Sequence, residues 1–415
     1  MAMIDRKAFQ KLCRRIDSYE EAMIEMQRSL TAIPALSPES GGQGEYEKAG
    51  FLKSILQEWG FKNTSEINAP DPRVASGIRS NLLVTLPGRD TEKTVWLLTH
   101  LDIVPPGELS FWSHDPYQVV VTDRLVFGRG TEDNQQDLIA SLFAARSLVD
   151  EGIEPESSIG LAFVADEETG SLFGLDFILK DSRNPFRKTD LIVVPDAGNE
   201  EGSLIEIAEK SILWLRVKTT GKQCHGSKPH LGRNAFLAAS HLIVKLTELY
   251  NLFSRSDALF EPPVSTFEPT RKDANVPNVN TIPGEDVFFM DCRVLPDYSL
   301  AGVWQQIRKT ADSIEQDFGV KIDITAVQET EASLPTPENA PVVQALKKAI
   351  SEIYSLDAFP RGIGGGTVAA HFRRQGYPVA VWSKVGQKAH QPNECCSLDT
   401  MLGNAKVFAH LFLQK

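Results

Sequence analysis

The sequence predicts an α/β fold of two domains, a doubly covered and mostly parallel sheet interrupted by a ferredoxin-like α+β insert. Three observations carry this. Short, continuously apolar runs alternate with stretches of helical period over the first half of the chain, the pattern of strands covered on both faces by helices. The texture changes at about Ser211, where alternating strands begin, and the first texture returns after Thr336-Pro337. The sheet domain is therefore expected over 1–210 and 331–415, with the insert over 211–330.

Taken in order, Phe9, Leu12, Ile16, Met23, Met26 and Leu30 recur at helical spacing, and a second amphipathic stretch covers about Glu45 to Gly60. The β-rich runs NLLVT (81–85) and TVWLLT (94–99) follow, then a polar Pro/Gly stretch and a helix from Leu138 to Val149. IGLAFVA (159–165), a helix around Leu172 to Leu179 and LIVV (191–194) continue the alternation. In the insert, ILWLRVK (212–218) alternates and a long helix is expected from about Asn234 to Phe253. Two strands flank Pro283-Gly284, a helix covers about Leu300 to Phe318, and a strand covers Lys321 to Thr325. That order is β-α-β-β-α-β. A helix over Val342 to Tyr354, a glycine-rich loop at Gly362 to Gly366 and a strand at Pro378 to Trp382 complete the first domain.

Composition narrows the function. A net charge of −12 supplies no positive field for a nucleic-acid backbone or an anionic bilayer, so neither is expected as a partner. No apolar run approaches the length of a membrane span, and the first thirty residues are too charged for a signal-peptide core. Five scattered cysteines without C-x-x-C spacing fit neither a disulfide framework nor a cysteine zinc knuckle. The expected location is the cytosol.

Chemistry-bearing residues gather where the predicted strands end. His100 and Asp102 follow VWLLT, one as a metal ligand and the other orienting it. GRGTEDN (128–134) delivers Asp133 in a tight turn before a helix. Asp166-Glu167-Glu168 follows IGLAFVA, Asp196 follows LIVVP, and His390 lies in AHQPNE after PVAVW. Each alone also reads as a structural pair, a helix cap or an acidic turn. Together, His100, Asp133, Glu167 or Glu168, Asp196 and His390 come from five separate places that such a sheet brings to one edge. Imidazoles with carboxylates and no thiolate suit zinc, cobalt or manganese. Three carboxylates, Asp133, Glu168 and Asp196, with a bridging hydroxide balance two divalent ions better than one.

These strings, LLTHLDIVPPGE, GRGTEDNQQDLIA, ADEETGS, VPDAG and the late His390, resemble the dinuclear metallohydrolase family of acetylornithine deacetylase, succinyl-diaminopimelate desuccinylase, aminoacylase and carboxypeptidase G. The resemblance runs in order from about Leu97 to Glu394. It implies two metal ions, zinc before cobalt or manganese. His100 and Asp196 would hold one, Glu168 and His390 the other, with Asp133 bridging. Asp102 would stand behind His100, and Glu167 would be the general base on the bridging water. Side-chain alternation at a strand end would turn Glu168 to the metal and Glu167 to the substrate. A cis Asp133–Asn134 peptide is also implied.

The same resemblance makes the insert a lid and dimerisation domain of a homodimer and His225 the residue that stabilises the oxyanion in a mate's site, with His230 its competitor. Asn280 and Arg293 would hold the substrate's carbonyl and carboxylate, and Gly365 would offer backbone contact. The glycine-rich loop lacks the ending of a P-loop, and Val368 stands where many relatives carry aspartate. The implied activity is hydrolysis of an N-acyl amino acid, with a dipeptidase, tripeptidase or carboxypeptidase as the alternative within the family. Asp196 leans towards the peptidases. A binding protein that keeps the metals and a two-metal phosphoesterase are the readings from other classes.

Overall fold

The structure, a computed structural model, describes residues 4–414. Two compact units divide the chain. The first holds the residues up to Ile207, Thr336–Arg361 and those from Thr367 onward; the second holds Ala208–Pro335 and Gly362–Gly366.

The first unit is built on an eight-stranded sheet. Its order is Asn63–Glu66, Leu82–Leu86, Ser157–Val164, Asp90–His100, Leu191–Asn199, Val379–Lys384, Leu204–Glu209 and Phe359–Ile363. The four strands from Ser157–Val164 to Val379–Lys384 run parallel. Leu82–Leu86 and Asn63–Glu66 continue the sheet antiparallel on one side, as Leu204–Glu209 does on the other. The sheet is thus mixed, parallel in its centre only. Leu82–Leu86 is as apolar as the central strands, so its composition carries no sign of its direction. Ser157–Val164 is buried along its whole length. A Cβ at Gly160 would overlap the Trp96 indole, which is why that core strand carries a glycine.

Both faces are covered. On one, Trp96, Leu98, Ala162 and Val194 pack with Leu175, Ile178 and Phe372. The helix Gln136–Glu151 is buried on nearly every side, as expected for a helix apolar all round, and packs against Leu398–Phe412. It ends at Gly152 (φ 63°), whose N–H bonds back to the Leu148 and Val149 carbonyls. The polar stretch before it contains a feature with no clear periodicity. Val120–Thr122 and Leu125–Phe127 form a hairpin, and Cys395–Ser397 adds to it antiparallel. This small sheet ties the segment before Gly128 to the segment after His390.

The second unit carries a four-stranded antiparallel sheet in the order Thr266–Lys272, Glu285–Val294, Ser211–Thr220, Lys321–Thr330. Leu213, Leu215 and Val217 alternate inward against Leu242 and Leu246 of one helix and Val303, Ile307 and Ile314 of another. The second of these helices, Leu300–Phe318, is capped by Ser299, which accepts from Gly302 N–H at 3.2 Å, and stops at Gly319 (φ 62°). The long helix expected to Phe253 ends at Leu246, and a four-residue turn, Leu249–Leu252, follows. Thr281–Ile282 leaves the main sheet to pair with Cys224–His225 in a ribbon. The five cysteines form no disulfide. Among the described residues no helix is long and apolar enough to cross a membrane.

Two buried histidines give the first unit a built-in acid sensitivity. His410 packs edge-on against Phe9, and its Nδ1 accepts from the Gln414 amide at 3.0 Å. Burial lowers it to about 4, and burial with Arg374 lowers His371 to about 4 as well. Between pH 6.5 and 4 the unfolded chain holds protons that the folded chain refuses, so stability falls as pH falls through that window. His410 alone accounts for about 3 kcal/mol once pH reaches 4. In chelator, denaturant titrations of His410→Gln should lose that part of the pH slope. A slope equal to the wild type's would show that His410 does not carry it.

Candidate metal centre

The central parallel strands place the site. His100 ends its strand beside Val164, the last residue of Ser157–Val164, so the turn that follows Val164 begins next to the imidazole. That turn departs from strand geometry. Asp166 adopts a left-handed conformation (φ 64°), and Glu167–Thr169 forms one turn of 3-10 helix. The two glutamates therefore diverge as neighbours on a 3-10 turn and not by the alternation of a strand. Asp196 lies within Leu191–Asn199, Asp133 sits at a non-helical kink in Thr131–Gln135 just before the helix Gln136–Glu151, and His390 arrives on a loop. The Asp133–Asn134 peptide is cis.

These residues fall into two groups that share one member. His100 Nε2 lies 2.9 Å from Asp133 Oδ1 and 3.3 Å from Asp196 Oδ1. His390 Nε2 lies 3.0 Å from Asp133 Oδ2 and 3.1 Å from Glu168 Oε1. Within each group the donor atoms all sit within 4.8 Å of one another, so each can take one cation and Asp133 can serve both. Glu167 belongs to neither. The donor set, imidazole with carboxylate, fits divalent ions of borderline hardness.

The electrostatics show the same demand for positive charge. Burial opposes a proton on His100, yet Asp102, Asp133 and Asp196 outweigh it and hold the imidazole well above its ordinary value. Asp133 and Glu168 raise His390 to about 10. Burial, and then Asp196, push Glu167 well above the carboxylate range. A cluster that must protonate its own ligands to balance its carboxylates is one that bound cations would neutralise.

Asp102 stands behind His100 and meets it with two groups. Its backbone carbonyl lies 3.0 Å from His100 Nδ1 and its carboxylate 3.6 Å. The carboxylate also accepts from the N–H groups of Glu167 (3.1 Å) and Glu168 (3.0 Å), fixing the acidic turn. Asn134 plays a similar part for Asp196, donating to its Oδ1 at 3.0 Å and to the Pro195 carbonyl at 2.6 Å.

Further supports escape a reading by motif. The turn also rests on a buried ionic cluster: Arg79 pairs with Glu45 and lies 3.5 Å from Asp166, and Lys48 is fully buried nearby, its ammonium without a hydrogen-bond partner among the described residues. Glu132 and Glu394 cross-link the Asp133 and His390 loops. Lys48 is one of several charges in the amphipathic helix Tyr46–Glu58, and Glu132 and Glu394 lie unremarked in or beside the quoted strings.

His225, Asn280, Arg293 and Gly365 lie in the second unit. His225 is exposed, with its Nδ1 2.8 Å from the Ser227 hydroxyl, and Gly226 N–H donates to the Asn280 carbonyl at 2.6 Å, so His225 and Asn280 stand side by side. Arg293 and the glycine-rich loop form a second pair. The guanidinium is bidentate to Asp291 (2.7 and 3.0 Å) and donates to the Gly364 carbonyl at 2.9 Å. It is already neutralised by its own strand. A Cβ at Gly365 would meet none of the described residues within 4 Å. Val368, in the first unit, is buried with Ala369 and Phe372, so its side chain belongs to the core and not to a pocket wall.

A family model described as peptidase family M20/M25/M40 matches residues 96–414. The chain is 40% identical over 411 residues to an uncharacterized metallohydrolase of Methanocaldococcus jannaschii, covering 95% of this chain and 99% of that one. It is 25% identical over 383 residues to a succinyl-diaminopimelate desuccinylase of Wolbachia pipientis, covering 91% and 89%. Human carnosine dipeptidase 1 has the same fold, with a TM-score of 0.75 at 17% identity over 98% of both chains. With the matched region spanning every residue of both donor groups, the chain belongs to the M20/M25/M40 peptidase family and is a metallohydrolase.

Proposed function

We propose that this metallohydrolase is a two-metal amidase that cleaves N-acyl amino acids, with short peptides as the alternative substrates of the same site. The observation that carries the reading is the pair of donor groups joined through Asp133 with Glu167 left outside both. His100, Asp133 and Asp196 would hold one divalent ion and Asp133, Glu168 and His390 the other, zinc before cobalt or manganese. Such ions, when bound, polarise a carbonyl and acidify a water. Glu167 takes the proton from that water and passes it to the leaving amine. Its burial supports this role, because desolvation makes a carboxylate a stronger base than an exposed one.

Asp102 holds Glu167 and Glu168 by their N–H groups, so base and ligand keep a fixed separation. His225, contributed across a homodimer formed through the second unit, would donate to the developing oxyanion, and Asn280 and Gly365 would contact the substrate. A substrate carboxylate at Arg293 would have to compete with Asp291, whether it belongs to an N-acyl amino acid or to a peptide. The free cysteines agree with a reducing, cytosolic location.

The test is hydrolysis of N-succinyl-diaminopimelate, N-acetylornithine, other N-acyl amino acids and simple dipeptides by protein stripped with chelator and reloaded with zinc, cobalt or manganese. Cleavage of an N-acyl amino acid restored by metal is the expected result. Cleavage of dipeptides alone would move the assignment to a peptidase. Two ions bound with the whole panel intact would end the amidase reading.

A further inference from the structure

The loops that carry Asp133 and His390 are clasped by two carboxylates outside the donor groups. Glu394, fully buried, reaches from the His390 side. Its Oε1 accepts from the N–H groups of Glu132 and Asp133, both at 3.0 Å, and its Oε2 from Gly130 N–H at 3.1 Å and Arg129 Nη1 at 2.6 Å. Glu132, also buried, reaches the other way and accepts from the N–H groups of Gly386 and Lys388, with Ala389 N–H a third donor to it. Each loop thus satisfies the backbone of the other.

The His390 loop needs such a hold more than the Asp133 loop does. Gln387 (φ 61°), His390 (φ 62°) and Asn393 (φ 59°) are non-glycine residues in the left-handed region, a conformation that costs energy and persists where surrounding contacts fix it. His390 is half exposed, so packing of its own ring supplies little of that fixing. The amides of Gly386, Lys388 and Ala389, turned onto one buried carboxylate, supply it instead.

We propose that Glu132 is a positioning residue for His390 and sets the affinity of the Asp133–Glu168–His390 group for its ion. This rests on the two-ion reading above. Glu394 is not equivalent, since it bonds the amide of Asp133, the ligand shared by both groups, and its loss would disturb both. Glu132 bonds only the loop of the second group. The two donor groups therefore respond separately, which a general loss of stability would not produce.

Zinc titration by calorimetry of the full chain, wild type against Glu132→Ala and Glu132→Gln, tests this, together with amide hydrogen exchange of the metal-free proteins. Glu132→Ala should bind one ion with wild-type affinity and the other 10- to 100-fold more weakly. Exchange at Gly386, Lys388 and Ala389 should quicken while the amides of Gln136–Glu151 stay protected. Glu132→Gln, which keeps one accepting oxygen, should lie between and serves if the alanine variant does not fold. Two ions at wild-type affinity in the variants, or equal weakening of both, would overturn the proposal. A wild type that binds fewer than two ions would overturn the two-ion reading instead, and unchanged exchange at the three amides would then count against the clasp itself.

Discussion

Asp133→Ala is expected to abolish tight binding of both divalent ions at once, whereas Asp196→Ala and His390→Ala should each remove one. The geometry makes this asymmetry. Asp133 Oδ1 faces His100 at 2.9 Å and Oδ2 faces His390 at 3.0 Å, so a single carboxylate gives one oxygen to each donor group. Asp196 touches only the first group and His390 only the second. In the metal-free protein the same carboxylate is the counter-charge for both imidazoles, which hold Asp133 far below the carboxylate range against the burial that would raise it. Its loss therefore also weakens the hold on the protons that His100 and His390 carry, which Asp102, Asp196 and Glu168 share. Asp133→Asn keeps the shape and one oxygen acceptor, and should retain a single, weaker ion. Metal content after dialysis against a zinc buffer, read by mass spectrometry for the four variants, decides the matter. One ion still tightly bound in Asp133→Ala would mean that the two groups do not share a ligand and that the site is two independent mononuclear ones.

Much of this site is legible in the sequence, for a reason specific to these residues. His100, the acidic turn after Val164 and Asp196 all belong to adjacent parallel strands, and continuous apolar runs announce such strands and where they stop. The gathering of His100, Asp196 and the Glu167-Glu168 turn follows from that alone, while the division of roles between the two glutamates comes only from the family resemblance. The supports are illegible because they act through the backbone of distant segments. Glu132 serves amides some 250 positions away, Glu394 returns the contact, and Asp102 turns its carboxylate to the amides of Glu167 and Glu168 while its carbonyl meets His100. An acceptor aimed at N–H groups imposes no residue type on its partner, so neither spacing nor composition records it. The sheet direction fails for a related reason. Leu82–Leu86 is as apolar as its parallel neighbours, and only the chain path makes it antiparallel. Arg293 shows the opposite error, a cation that looks free in sequence and is paired by a residue two places before it on the same strand.

Glu167→Gln should keep both ions and lower kcat by about 10²- to 10⁴-fold, the range for removal of a positioned proton acceptor. The backbone argument protects the metals. Glu167 and Glu168 are held by their N–H groups on Asp102, and a glutamine at 167 leaves those bonds in place, so Glu168 stays 3.1 Å from His390. The amide cannot take a proton, and the neighbouring Asp133, Glu168 and Asp196 are all members of the donor groups. KM should change little, since the residue is replaced by one of the same volume. Glu168→Gln gives the contrasting signature, with loss of the ion at the Asp133–Glu168–His390 group and recovery of part of the rate at high metal concentration. Reversal of the two signatures, with metal lost from Glu167→Gln and retained by Glu168→Gln, would exchange the roles of these neighbours. A kcat unchanged in both would remove the acidic turn from the chemistry and return the base to another residue.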